Sequence, residues 1–496
     1  MKDSSLFEPS MQCDGNRLTP STSPLGMTGN PLKSPLGKER TTKGWSTPTP
    51  SANHSWFLNC GFKSVVLAWL AWQLLALEVL AAGATYPLKM GPSRRYLVDQ
   101  QGTPFLLQGD AGWSLISGLT KEEAEQYLEN RRQKGFNTIM VNLIEHKFKG
   151  PVSRYGEGPF LTTGDFSTPN EKYFEYADWV IRRAEQKGIQ ILLAPIYLGY
   201  KGTDEGWYEE TLRNAPAKCL AYGRYVGRRY QGFDNITWLI GGDRNPEQAL
   251  ESVNAVVKGI REFDHRHLVT AHCAPEYSAM DVYGNEGWLD FNSTYTYQLI
   301  HPLLLRDYNR SPVMPFFLIE STYEGEHNAS AVQIRRQAYW AVLCGGTGHI
   351  IGNRPIWLFD PGWQEAIEGA ASKEMVYWKA LFSSRSWHLL VPDQRHEVVT
   401  EGLGELRGLD TLIAARTSDG ATVMAYMPTS RAVTVDLSKL SGNRRTAWWF
   451  NPRTGKSESA GEFTTEARKK FVPPGEEDWI LVIDDASRWF SAPGGR

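Results

Sequence analysis

From about residue 85 to residue 390, apolar runs of strand length alternate with stretches of helical period. Eight runs read as strands: 104–109, 138–144, 190–196, 235–241, 268–274, 291–297, 315–319 and 348–352. Several, such as TIMVNLI and QILLAPI, are apolar throughout. Strands buried on both faces have this pattern, because helices cover each side. The intervening stretches carry helix punctuation. Thr120 and Glu123 form a capping box ahead of EEAEQYLENRRQK, and Gly135 is the stop. Thr168, Pro169 and Glu171 open the next helix and Gly188 ends it, while Asn245, Pro246 and Gln248 begin a further one. Such alternation builds a parallel sheet. Eight strand–helix units in this length predict an α/β fold, a (β/α)8 barrel over residues 85–390. A doubly wound sheet would want a glycine-rich phosphate loop after an early strand, and neither GxGxxG nor GxxxxGK[ST] occurs.

Near residue 390 the texture changes. Short alternating runs follow: TLIAART, ATVMAYM, AVTVDL, RTAWWF and DWILVID. Turn residues such as Ser418-Asp419-Gly420 and Asn451-Pro452 separate them, which predicts an antiparallel β-sandwich over 391–487 and a short tail at 488–496. Trp378 and Trp387 are placed to supply an apolar join between the two parts.

The N-terminal stretch has neither texture. Residues 1–55 are rich in Ser, Thr, Pro and Gly, a composition that buries too little surface to order itself. In 56–84, Lys63 precedes SVVLAWLAWQLLALEVLAAGAT, with small residues at Ala82-Gly83-Ala84. A basic flank, an apolar run and a small-residue end describe a secretory signal cut near Ala84. A membrane anchor is the alternative, and Glu78 inside the run weighs against it. The expected location is secreted or periplasmic, with no membrane insertion after processing.

A net charge of −2 with no basic cluster argues against a nucleic-acid partner. Cys219, Cys273 and Cys344 follow the signal in apolar surroundings without CxxC spacing, and read as buried free thiols. Trp, Tyr and Phe are abundant; core packing accounts for most, and the remainder suit the apolar faces of sugar rings.

Two acids stand out against this background. Asp243 closes ITWLIGGD and Glu320 closes PFFLIE, at the ends of the fourth and seventh strands. The C-terminal strand ends carry the active site of such barrels. Glycoside hydrolysis needs two carboxyl groups there, one to protonate the leaving oxygen and one to attack or to activate water. Glu324 and Glu326 in STYEGEH compete with Glu320. Other polar and aromatic groups fall at neighbouring strand ends. Asp110 could orient a hydroxyl and Trp113 could floor a sugar subsite; Asn142, Glu145 and His146 follow the second strand. Tyr197 follows the third, His272 the fifth, Tyr295 and Tyr297 the sixth, and Arg354 and Trp357 the eighth. The set describes a carbohydrate pocket better than an apolar one. Metal chemistry finds little support: His396-Glu397 begins an HExxH-like run, but Thr400 stands where the second His is needed. No GxSxG elbow occurs, and no cofactor is expected.

The stretch RRYLVDQQGTPFLLQGDAGWSLISGLTKEEAEQYLENRRQKGFNTIMVNLI resembles the start of the apiosidase-like catalytic domain, glycoside hydrolase family 140 and its relatives. GGDRNP and LIESTYEGEH resemble that family's two catalytic strand ends, and the likeness covers roughly residues 90–390. The tail resembles the small β-domain, labelled collagen-binding, that follows it in such proteins. The resemblance implies a (β/α)8 barrel and a retaining mechanism with Asp243 as acid/base and Glu320 as nucleophile. It also implies release of β-linked apiose from pectic side chains. The wider clan has Glu after Asn on the fourth strand; Asp243 after Gly-Gly departs from that and resembles the apiosidase pattern. The expectation is therefore an exported glycosidase whose partner is a carbohydrate substrate. The rival is a non-catalytic carbohydrate-binding or adhesion protein on a degenerate barrel.

Overall fold

The computed structural model of the protein describes residues 83–464 and 467–495. The leader, nearly all of the signal, Cys13 and Cys60 lie outside the described residues. Eight short strands form one parallel sheet: β1 Leu107–Ala111, β2 Thr138–Asn142, β3 Gln190–Ala194, β4 Ile236–Gly241, β5 Val269–His272, β6 Asn292–Tyr295, β7 Phe316–Glu320 and β8 Gly348–Ile351. Their order is β5-β4-β3-β2-β1-β8-β7-β6. Every strand residue is buried, as the unbroken apolar runs require. Alternate side chains divide between two cores. Leu107, Met140, Leu192, Leu239, Phe317 and Ile350 fill the inside. Ile139, Ile191, Leu193, Trp238 and Ile240 face the helices.

No backbone ladder joins β5 to β6 among the described residues. The Asp290 amide donates to Val269 O at 2.9 Å, Thr270 Oγ1 donates to Phe291 O at 2.8 Å, and Ser293 Oγ donates to Ala271 O. The Val269 amide in turn donates to Asp290 Oδ2 at 2.8 Å, and past β5 the Glu276 amide donates to Tyr295 O at 3.0 Å and the Tyr295 amide to Tyr277 O at 3.1 Å, so side chains and the segment after β5 close the ring.

Several boundaries differ from the sequence reading. The first strand begins at Leu107 rather than 104, because Phe105 is drawn to an N-terminal hairpin, its amide donating to Leu97 O at 2.8 Å. Glu320 is the last residue of β7 rather than the residue after it. The capping box of Thr120 and Glu123 forms as expected. The next helix is capped by Asn170, not Thr168, since Asn170 Oδ1 takes the Lys172 amide. Asn245 caps no helix: its Oδ1 accepts the Ala274 amide at 3.1 Å, and the following helix is Leu250–Arg261.

Beyond the barrel, two antiparallel sheets of six and three strands follow. The five alternating runs all become strands, while the polar segments Ser457–Thr464 and Arg468–Phe471 also pair and carried no apolar signal. Met424, Tyr426, Phe450, Ile480 and Val482 of the larger sheet share one core with Trp340, Trp378 and Trp387 of the preceding region. A buried ion cluster crosses that join. Arg335 of helix Ala331–Leu343 grips Asp478 with two bonds of 2.9 Å and reaches Glu374 at 2.7 Å. Removing one partner strands a buried charge, so Asp478→Ala is expected to lower unfolding free energy by about 3–5 kcal/mol. Chemical denaturation checks this; a loss under about 1 kcal/mol would assign the join to the apolar core alone.

Candidate active site

The β4 end turns through three consecutive residues of positive φ: Gly241 at 87°, Gly242 at 147° and Asp243 at 46°. A Cβ on Gly242 would lie 2.1 Å from Cδ2 of Tyr197, so only glycine lets the Tyr197 ring pack against this turn. Non-glycine residues rarely occupy the left-handed region, and such strain concentrates at functional positions. Here it aims the Asp243 carboxylate inward, where Oδ2 accepts the Tyr197 hydroxyl at 2.6 Å. Asp243 keeps 18 % side-chain exposure, whereas Glu320 is buried.

His272, at the end of β5, ties the two acids together. Its Nε2 lies 2.7 Å from Glu320 Oε2, and the Asp243 amide points at Nδ1 from 3.2 Å. Nδ1 also lies 3.2 Å from Cys273 O, so the ring meets the Asp243 amide and that carbonyl on one side and the Glu320 carboxyl through Nε2 on the other. The ring is wholly buried, 5.5 Å from the Trp113 ring and 4.8 Å from that of Tyr295. Burial disfavours its charge, but the contact with Glu320 and the charges of Glu320 and Asp243 raise its pKa overall. One donor atom each from Asp243, His272 and Glu320 falls within 4.8 Å of the others. Such a set suits a divalent cation in principle. The same three residues also form a hydrogen-bonded acid pair bridged by His272.

Glu320 has its pKa raised to about 7, by burial first and the Asp243 charge second, with His272 and Tyr323 pulling it back. An acid pair sharing a site holds one proton between them. The folded state therefore binds that proton more tightly than the unfolded chain, and stability falls as pH rises from about 4.5 to about 7. Glu320→Gln removes this cost. It is expected to be more stable than the parent at pH 8, on the order of 2 kcal/mol, with the difference shrinking toward pH 4.5. Thermal melts across pH check it; a constant difference would place the proton elsewhere.

Trp113 forms the floor. It donates Nε1–H to the Tyr323 hydroxyl at 3.2 Å and its ring lies 5.5 Å from Tyr197. His146 lies beside Tyr197 at 4.4 Å and Trp357 at 5.7 Å, with Asn142 Nδ2 and Glu145 Oε1 on its Nδ1 side at 3.0 and 2.6 Å. Tyr297 is more open, 5.5 Å from Tyr295 ring to ring.

Two expected contacts are engaged by other partners. Asp110 points outward from β1, because alternation turns it to the helix layer; it accepts the Tyr127 hydroxyl at 2.7 Å and pairs with Arg131 at 3.2 Å. Glu324 bends toward β8, where Oε2 accepts from Asn353 Nδ2 at 2.9 Å, and Glu326 Oε1 pairs with Arg354 at 2.5 Å. Two residues escaped the sequence reading. Tyr323, three positions past Glu320, hydrogen-bonds that carboxylate. Glu205 lies 3.1 Å from the Tyr197 hydroxyl in a loop without periodicity, so no pattern marks it.

Comparison with known proteins fits this geometry. The family described as "Apiosidase-like, catalytic domain" matches residues 92–388, three-fifths of the chain. The chain belongs to the apiosidase-like family. Residues 391–484 match the family described as "Putative collagen-binding domain of a collagenase". Among solved structures, one titled "Glycoside hydrolase" is similar at 28 % identity and TM-score 0.73, covering 81 % of this chain and 97 % of its own. A glycoside hydrolase family 5 structure from Bacteroides vulgatus is similar at 25 % identity and TM-score 0.73, covering 82 % and 96 %. No curated protein matches the sequence. The apiosidase-like barrel with its β-domain is thus a glycoside hydrolase architecture, and its substrate class is carbohydrate.

Proposed function

We propose that the protein is an exported retaining glycosidase that frees a terminal sugar from a polysaccharide. The observation that carries this reading is the clustering of Asp243, His272 and Glu320 donors within 4.8 Å. Retaining enzymes bring their carboxyl groups to about 5–5.5 Å, and inverting ones hold them roughly 6.5–9.5 Å apart to seat a water. Glu320 is the nucleophile: His272 anchors Oε2, and the other oxygen attacks the anomeric carbon. The bond to the leaving oxygen breaks as Asp243 gives it a proton. Asp243, now ionised, takes a proton from water; that water attacks the anomeric carbon and displaces Glu320. The step needs the shared proton on Asp243 when substrate is bound, whereas in the free site burial and the Asp243 charge favour it on Glu320.

Family membership makes terminal apiose of pectic side chains the first sugar to test. Purified protein is incubated with cell-wall polysaccharides, and any released monosaccharide and its anomer are identified by NMR. Initial release of the anomer matching the substrate's linkage supports the reading. Inverted product overturns the mechanism, and binding without turnover favours the carbohydrate-binding alternative. Export rests on Lys63 and the apolar run to Ala84. No helix of the described residues is long and apolar enough to cross a membrane. A mature N-terminus near Thr85 is the expected outcome of N-terminal sequencing of the exported protein.

A further inference from the structure

We infer that Glu205, acting through Tyr197, is the proton reserve and positioning residue for Asp243. This rests on the glycosidase reading above. The Tyr197 hydroxyl lies between two carboxylates, 2.6 Å from Asp243 Oδ2 and 3.1 Å from Glu205 Oε1. It has one hydrogen to donate. Two linear hydrogen bonds, rather than one hydrogen shared between both acids, require one of the carboxyl groups to be itself protonated. The trio therefore holds two protons: that of the phenol and one more.

Two arrangements satisfy the count. In the first, Glu205 donates its O–H to the Tyr197 oxygen and Tyr197 donates to ionised Asp243. In the second, Asp243 donates to the Tyr197 oxygen and Tyr197 donates to ionised Glu205. Passing from the first to the second moves one proton from Glu205 to the phenol oxygen and the phenol's own proton to Asp243. Nothing is gained or lost. Asp243 is thereby charged for donation without drawing on solvent.

The loop is built to hold Glu205 there. Residues 198–206 leave Tyr197 and return to it, closed by the Trp207 amide donating to Tyr197 O at 2.8 Å. Gly199 and Gly206 pinch its neck: a Cβ on Gly199 would sit 2.2 Å from the Gly206 nitrogen, and Gly199 has φ of 85°. The Lys147 amide donates to Glu205 O at 2.8 Å, and Glu205 Oε2 accepts the Tyr200 amide at 3.2 Å. Lys147 spends its ammonium on Asp204 and Glu210, outside this chain of bonds. The groups facing the Glu205 carboxyl are Asp243, Tyr197 and His146. Burial and then the Asp243 charge raise its pKa, against the lowering effect of His146, a direction that favours the protonated form the geometry uses.

Glu205→Gln tests this in two ways. Its amide donates to the Tyr197 oxygen but has no proton to pass on. With a glycoside of a poorly acidic leaving group, the alkaline limb of kcat/KM is expected to move down by roughly one pH unit. With an activated aryl leaving group, which needs little protonation, the profile stays where it was. A merely structural role would depress both substrates alike, and that result overturns the proposal. The second readout needs no turnover. In a Glu320→Gln background at neutral pH, the infrared band of a protonated carboxyl is expected to diminish when Glu205→Gln is added. An unchanged band overturns the proposal even if the protein hydrolyses no glycoside. A lost band with no activity on any substrate upholds the proton count and sinks the glycosidase reading instead.

Discussion

Alanine at either Glu320 or Asp243 is expected to leave a folded protein that has lost most of its turnover, and azide should distinguish the two. On the proposed mechanism, no covalent intermediate forms without Glu320. Azide then attacks the anomeric carbon in its place, and the product is a glycosyl azide of inverted configuration. Without Asp243 the intermediate forms from an activated aryl glycoside but waits for a base. Azide, needing none, attacks it and gives a product of retained configuration. The general-acid contribution alone is worth roughly 10²–10⁴-fold, so Asp243→Ala should fall by at least that on an unactivated substrate. NMR of the azide products decides the assignment. Full activity in Glu320→Ala would exclude it as nucleophile. Glu324 is a poor replacement, since its carboxylate already faces Asn353.

The second large effect is expected from a residue with no chemistry of its own. Gly242→Ala brings a methyl group to 2.1 Å from the Tyr197 ring at a φ of 147°. Tyr197 cannot retreat, because Trp113 and His146 pack on it at 5.5 and 4.4 Å. The Asp243 turn must move instead, and Asp243 carries both the acid and the amide that orients His272. A displacement near 1 Å costs about 10²-fold in a positioned site. The variant should therefore lose at least that in kcat while near-ultraviolet circular dichroism stays native-like. Activity within tenfold of the parent would show that the turn does not position the acid.

The barrel was legible because its strands are buried on both faces and several of their runs are apolar throughout. The two acids were legible because each ends such a run. Side-chain direction was less so: Asp110 also sits at a strand end, yet period-two alternation turns it to Arg131 rather than the mouth. Asn245 looks like a cap beside its proline, but it answers to the Ala274 amide, a partner far away in the chain. His272 was read as one substrate contact among many. Its place between the acids depends on β4, β5 and β7 meeting, which no local pattern encodes. Glu205 was invisible for a related reason: a loop residue acquires meaning only from what its loop folds against.

The junction of β5 and β6 has a mechanical consequence. A ring stitched by ladders all round except at one joint behaves like a split collar. At the split, side-chain hydroxyls, the Asp290 carboxylate and the segment after β5 take the place of a direct strand ladder. His272 and Tyr295 stand on the two lips, with their rings 4.8 Å apart. A sugar too broad for the mouth would spread the lips and draw His272 off Glu320. A well-fitting one leaves them closed, so the fit of a ligand at the mouth bears on the His272–Glu320 contact through the wall of the barrel as well as by direct touch.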